Sequence, residues 1–387
     1  MKYDFDEIID RTNTHSLKYE GGRAGNPFLP EQYIPLWVAD MDFACAPQIL
    51  DAMKRRIDRR IFGYSVLGKD NQRSVSRWME RRFHWQVAPE EIIFASGVVS
   101  ALFAAVEHLT SPGDGVLLMT PAYHPFNDAI HRFRRKPLYS RLLEQSDGRY
   151  EIDFADFEEK AKRADCSLFF LCNPQNPTGR VFTREELLRI GEICFANGVF
   201  VLSDEIHADL TRTGQTHLPF ASLFPGEKRI ITCTSPSKTF NLAGNNHSHL
   251  MIPDERLRRE WSSGMYCGMP TAVGIDAAIA AYDEAEDWLD ELKAYLDENF
   301  RKMSELLHEK LPKAKFRIPE GTYLAWVDLT AYCLPEQKLK EVISRAGVFV
   351  QFGEDFVDHG DCHMRVNAAC PWSKLKEGLE RVCKALN

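Results

Sequence analysis

Between residues 90 and 252 the chain alternates short, continuously apolar runs with longer stretches of helical period. The runs are Ile92-Ile93-Phe94, Val116-Leu117-Leu118-Met119, Leu168-Phe169-Phe170-Leu171, Val199-Phe200-Val201-Leu202 and Ile230-Ile231-Thr232. Runs of this kind are strands buried on both faces, and with helices between them they predict an α/β domain around a mainly parallel central sheet. Chemistry is then expected in the loops at the carboxyl ends of the strands. After Pro270 the period turns helical, and the charged stretch from Asp283 to Lys310 predicts one long connecting helix. Beyond it, Tyr323–Val327, Val348–Gln351 and Met364–Asn367 read as strands, and Glu336–Arg345 and Ser373–Ala385 as helices, which makes a smaller α+β C-terminal lobe. The expected division is 1–48 as a segment joining the small lobe and the edge of the active site, 49–285 as the large domain and 286–387 as the small one.

At 387 residues the chain is long enough for two lobes with a large core. Hydrophobic residues make up 44% and charged residues 27%, and no apolar stretch approaches the ~20 residues of a membrane helix, so a membrane role is not expected. The opening Met1-Lys-Tyr-Asp-Phe-Asp-Glu-Ile-Ile-Asp10 places acids where an export signal has basic residues, which points to the cytoplasm. The ten cysteines, Cys267 among them, form no C-x-x-C pair and suit reduced core thiols better than disulfides or zinc. A net charge of −8 offers no general attraction for nucleic acid, and the local run Arg55, Arg56, Arg59 and Arg60 reads as a solvated helix face. No internal repeat, low-complexity tract or G-x-G-x-x-G fingerprint is present, so nicotinamide binding has little support.

Candidate chemistry gathers where the strands end. Thr232-Cys-Thr-Ser-Pro-Ser-Lys238-Thr-Phe-Asn-Leu-Ala-Gly244 surrounds one lysine with hydroxyls, and a lysine held partly deprotonated can be captured by a cofactor carbonyl. Ser235 and Ser237 suit a phosphate. Asp204 closes the strand Val201-Leu-Ser-Asp204 and needs a cationic or donor partner to stay charged, for which a protonated pyridine nitrogen serves; an acid capping the next helix is the structural alternative. His207 suits a stacked or hydrogen-bonded group beside it, or a structural histidine. Asn176, in Asn173-Pro-Gln-Asn176-Pro-Thr-Gly179, is aimed by a rigid turn. Gly97 and Val98 begin a helix whose N–H groups suit a phosphate, and Tyr123 offers a ring to stack on a flat heteroaromatic or a hydroxyl to move a proton. His247-x-His249 lacks nearby acids or thiols, so no metal is expected there.

In this order the motifs resemble the fold-type I pyridoxal-phosphate (PLP) enzymes, over nearly the whole chain. Within them, Pro35-Leu-Trp-Val-Ala-Asp40-Met-Asp-Phe43, Phe62-Gly-Tyr64-Ser65, Asp204-Glu-Ile-His207 and Ser-Pro-Ser-Lys238-Thr-Phe-Asn-Leu-Ala-Gly244 are similar to the cystathionine β-lyase and cystalysin-like C–S lyases. The resemblance implies a PLP-dependent transferase-like fold, with Lys238 linked to pyridoxal 5'-phosphate and carrying protons, Asp204 on the pyridine nitrogen, Asn176 on the ring hydroxyl, Tyr123 over the ring and His207 nearby. Gly97, Val98, Ser235 and Ser237 would hold the phosphate, Arg365 would grip the substrate carboxylate by a bidentate fork, and Trp37 and Asn176 would adjoin the substrate. It further implies a homodimer in which Tyr64 reaches the partner's phosphate. The implied reaction is α,β-elimination from a small amino-acid substrate, an L-cysteine thioether, with an aminotransferase as the nearest alternative. A PLP-bound regulator with a transcription-factor partner is the alternative of another class. Two departures stand out: Gly244 is followed by Asn245-Asn-His247-Ser-His249 where an arginine is common in aminotransferases of this fold, and His124 stands where some relatives have a tyrosine.

Overall fold

The computed structural model describes residues 2–264, 268–358 and 361–387, so Cys267 lies outside the described residues. The strands are β1 (Ile34–Pro35), β2 (Ile92–Ala95), β3 (Gly115–Thr120), β4 (Ala122–Tyr123), β5 (Lys136–Glu144), β6 (Tyr150–Ile152), β7 (Cys166–Cys172), β8 (Phe200–Asp204), β9 (Ile230–Thr234), β10 (Ser248–Met251), β11 (Lys315–Phe316), β12 (Leu324–Asp328), β13 (Val348–Phe349), β14 (Gln351–Phe352), β15 (Phe356–Val357) and β16 (His363–Asn367). Eight of them form one sheet in the order β2-β10-β9-β8-β7-β3-β5-β6. The strands from β9 to β5 run parallel; β9, β8, β7 and β3 bury both faces while β5 exposes one, and β10 and β6 are antiparallel to their neighbours. All five apolar runs read from the sequence lie in this sheet. β10, which carries no continuous apolar run, follows the Lys238 segment and pairs antiparallel with β9 and β2.

Helices cover both faces. Val98–Leu109 and His124–Arg132 pack on one face with Leu118, Phe170, Leu202 and Leu250. On the other side Pro47–Ile57, Lys69–Phe83 and Ala272–Glu284 bury Trp78, Ile92, Met251 and Tyr282. Within the basic run, Arg56 pairs with Asp276 at 2.6 Å, which ties two of these helices together, while Arg55, Arg59 and Arg60 are exposed. The long helix spans Glu286–Lys310 and leads to a second sheet in the order β11-β12-β16-β14.

The run Val348–Gln351 is not a single strand. Val348–Phe349 pairs with Ile34–Pro35, and Gln351–Phe352 pairs with β16, placing Gln351 directly opposite Arg365. An apolar run cannot reveal this division, because both halves bury side chains equally well. Among the described residues no helix is long and apolar enough to cross a membrane, and Cys45, Cys166, Cys172, Cys194, Cys333, Cys362, Cys370 and Cys383 are free thiols.

Candidate active site

A cavity of about 500 Å³ opens at the carboxyl ends of the parallel strands. Trp37, Gly97, Val98, Tyr123, Asn176, Asp204, His207, Ser235, Ser237, Lys238 and Arg365 all line it. Tyr64 does not; it is 98% exposed on the same chain.

Lys238 sits on the short helix Pro236–Thr239, capped by Ser235, whose hydroxyl accepts from the Ser237 N–H at 3.0 Å and donates to the His247 carbonyl at 2.7 Å. The Ser235 hydroxyl is thus already engaged in shaping the loop. Asp209 anchors the same helix by accepting from the Thr239 hydroxyl at 2.9 Å. Nζ of Lys238 donates to the Ala39 carbonyl at 2.6 Å. Burial lowers the pKa of this amine, with Arg365 adding to the effect and Asp40 and Asp204 opposing it, to about 8. An amine near 8 is partly neutral at physiological pH and ready to attack a carbonyl.

Asp204 ends β8 and is buried, its Oδ1 accepting only from the Ile206 N–H at 3.1 Å. Burial pushes its pKa up to about 7, against that backbone hydrogen bond and Lys238. No cation forms an ion pair with it among the described residues, so the site is suited to a protonated ring nitrogen. His207 is held neutral, its pKa lowered to about 3 by burial with Lys238 and Arg365 adding to it; its Nδ1 has no partner and its ring meets Tyr323 edge-on at 5.9 Å. Burial raises the pKa of Tyr123, so its hydroxyl keeps its proton near neutrality.

Asn176 follows β7 in the turn the sequence marked. Its carbonyl oxygen accepts from Arg365 NH1 at 2.8 Å. Glycine is required at position 179: φ is +71°, and a Cβ there would lie 2.3 Å from Cβ of Pro319. Val98 begins a helix of 12 residues directly after Gly97, so unpaired N–H groups and the positive end of the helix dipole face an incoming anion.

The strap 37–43 reaches the cavity through Trp37, Val38 and Ala39, and its sequence carries no chemical signal beyond its motif. Ala39 offers a backbone carbonyl to Lys238 and also to the Tyr323 hydroxyl at 2.8 Å. Asn367 donates to the Val38 and Asp40 carbonyls, and Asn241 brackets Met41 and Phe43. Arg11, Lys18 and Lys374 pair with Asp42, which keeps that carboxyl below its ordinary range despite burial. Gln351, unremarked in the sequence reading, lines the cavity beside Arg365. The His247 and His249 rings contact each other at 3.1 Å, and His249 meets Asn71 at 3.0 Å beneath the sheet.

A model of the family "Aminotransferase class I and II" matches residues 31–382. The chain is 41% identical over 388 residues to cystathionine beta-lyase PatB of Bacillus subtilis (strain 168), covering 99% of this chain and 100% of that protein. Among solved structures, cystalysin from Treponema denticola, containing pyridoxal 5'-phosphate, superposes with a TM-score of 0.96 at 36% identity, covering 100% and 99% of the two chains. The PLP-bound C–S lyase of Staphylococcus hominis complexed with the inhibitor L-cycloserine gives a TM-score of 0.96 at 38% identity, over 100% and 98%. With the match running along nearly the whole sequence, and the strand-end lysine, aspartate and asparagine meeting in one cavity, the chain belongs to the aminotransferase class I and II family.

Proposed function

We propose that this protein is a pyridoxal 5'-phosphate-dependent C–S β-lyase that cleaves L-cystathionine or a related L-cysteine thioether to a thiol, pyruvate and ammonia. The observation that carries the reading is the meeting of a buried, weakly basic Lys238, an uncompensated Asp204 and a buried Arg365 around one cavity, in a chain 41% identical to a cystathionine β-lyase. These residues fit the cofactor. Asp204 lacks a cation, the helix after Gly97 offers N–H groups to a phosphate, and Lys238 lies between them. When bound, the cofactor supplies an aldehyde for the lysine and a ring that accepts the electron pair left at the substrate α-carbon.

Lys238 then serves as the base that removes the α-proton, and Asp204 keeps the ring nitrogen protonated. Asn176 gives its oxygen to Arg365, leaving Nδ2 to donate to a ring oxygen. Tyr123 holds its proton at neutral pH and is suited, with Lys238, to protonate the leaving sulfur. Arg365 receives the substrate carboxylate, with Trp37 as a wall. Ser237 and the Gly97–Val98 amides bind the phosphate. A homodimer completes this reading, because Ile61, Phe62, Tyr64 and Val66 are between 60% and 98% exposed, an apolar surface that a second copy would cover. A cytoplasmic setting suits the free thiols.

The test is a visible spectrum of the purified, PLP-loaded protein followed by addition of L-cystathionine, with pyruvate measured with and without a 2-oxo acid. Pyruvate without the 2-oxo acid is the expected result. Amino transfer alone would make the protein an aminotransferase, and absence of a cofactor band would overturn the PLP reading.

A further inference from the structure

Arg365 is fully buried with no carboxylate within ion-pair distance among the described residues. Its partners are all neutral oxygens: Asn176 Oδ1 on NH1, and the Trp37 carbonyl and Gln351 Oε1 both on NH2. Its Nε has no hydrogen-bond partner among the described residues. A guanidinium presents two edges that can grip a carboxylate with two hydrogen bonds, Nε with NH2 and NH1 with NH2. Either edge needs an NH2 hydrogen, and both of those are taken. The Trp37 acceptor is backbone and fixed. Gln351 is a side chain, placed on the same face as Arg365 by direct cross-strand pairing of β14 with β16.

From this geometry we infer that Gln351 is a neutral placeholder on Arg365, released by the incoming substrate carboxylate, and that its neutrality makes it a specificity-determining residue of the site. The inference rests on the reading of Arg365 as the carboxylate-binding residue. A carboxamide keeps the buried guanidinium oriented without cancelling its charge, so the site stays selective for an anion. A glutamate at this position would supply the anion itself and shut the substrate's carboxylate out.

The experiment uses the PLP-loaded protein and two probes, L-alanine and L-alaninamide, which differ in the carboxylate; binding is followed by the change in the cofactor's visible absorbance. Gln351→Glu is expected to weaken L-alanine by more than about tenfold while leaving L-alaninamide unchanged, the size of one charge-assisted contact. Gln351→Ala, which removes the placeholder, is expected to bind L-alanine as tightly as the parent or more tightly. Unchanged L-alanine binding in Gln351→Glu, or an equal loss in Gln351→Ala, overturns the placeholder role while Arg365→Gln still loses L-alanine selectively. If Arg365→Gln leaves the preference for L-alanine intact, the carboxylate reading of Arg365 falls and Gln351 with it. An unshifted cofactor band in each variant confirms that the fold and the cofactor site are retained.

Discussion

Lys238 is the residue whose environment makes the most direct prediction. Burial and Arg365 lower its pKa from the ordinary 10.5 to about 8, against Asp40 and Asp204, so its neutral fraction climbs as pH approaches 8. Only the neutral amine attacks an aldehyde. The rate at which cofactor-free protein captures added PLP is therefore expected to rise roughly tenfold per pH unit below 8 and to level off above it. Stopped-flow absorbance measures this directly, and a rise continuing to pH 10 would contradict a desolvated amine. Lys238→Ala should form no band at any pH. Lys238, Asp204 and Asn176 were legible in the sequence as candidates because each ends an apolar run or follows one within four residues and carries a group with few uses there. Ala39 was not, since its contribution is a backbone oxygen that any residue provides. Gln351 was hidden for another reason: a glutamine at the end of an apolar run acquires meaning only from what stands across the sheet.

At the level of elements, the turn after β7 shows sequence dictating backbone. Gly179 combines a left-handed φ of +71° with close approach to Pro319, whereas Gly214 has φ of +85° and open space around it. Gly179→Ala is expected to destabilise the protein by about 3 kcal/mol in urea denaturation, and Gly214→Ala by about 1 kcal/mol, the cost of the conformation alone. Equal losses would remove the close-approach explanation. The helix that follows was also foreseeable in kind, since Thr183 and Glu186 form a reciprocal cap at its start. β10 was harder to read. Ser248-His-Leu-Met carries two polar side chains that the fold buries by letting His249 contact both His247 and Asn71, a solution visible only once the helix bearing Asn71 lies beneath it.

For the whole molecule, the exposed apolar segment around Tyr64 predicts shared active sites. Lys238→Ala and Tyr64→Ala proteins, each nearly inactive, should regain roughly a quarter of parental activity when unfolded and refolded together, because half of the random dimers are hybrids with one intact site in two. No recovery, despite dimers seen by sedimentation, would mean that each chain works alone. The split of Val348–Gln351 between two sheets carries the same lesson at this scale. By itself the sequence determined the alternation of strands and helices and which side chains stand at the carboxyl ends of the strands, where the cavity lies, because apolar periodicity and turn residues act over a few neighbouring positions. Only the tertiary structure decided which groups face one another across some 190 to 330 residues of chain: Arg365 with Asn176 and Trp37, and Lys238 with Ala39. Those pairings set the buried charges and shifted pKa values, and desolvation belongs to the packed cavity rather than to any residue in it.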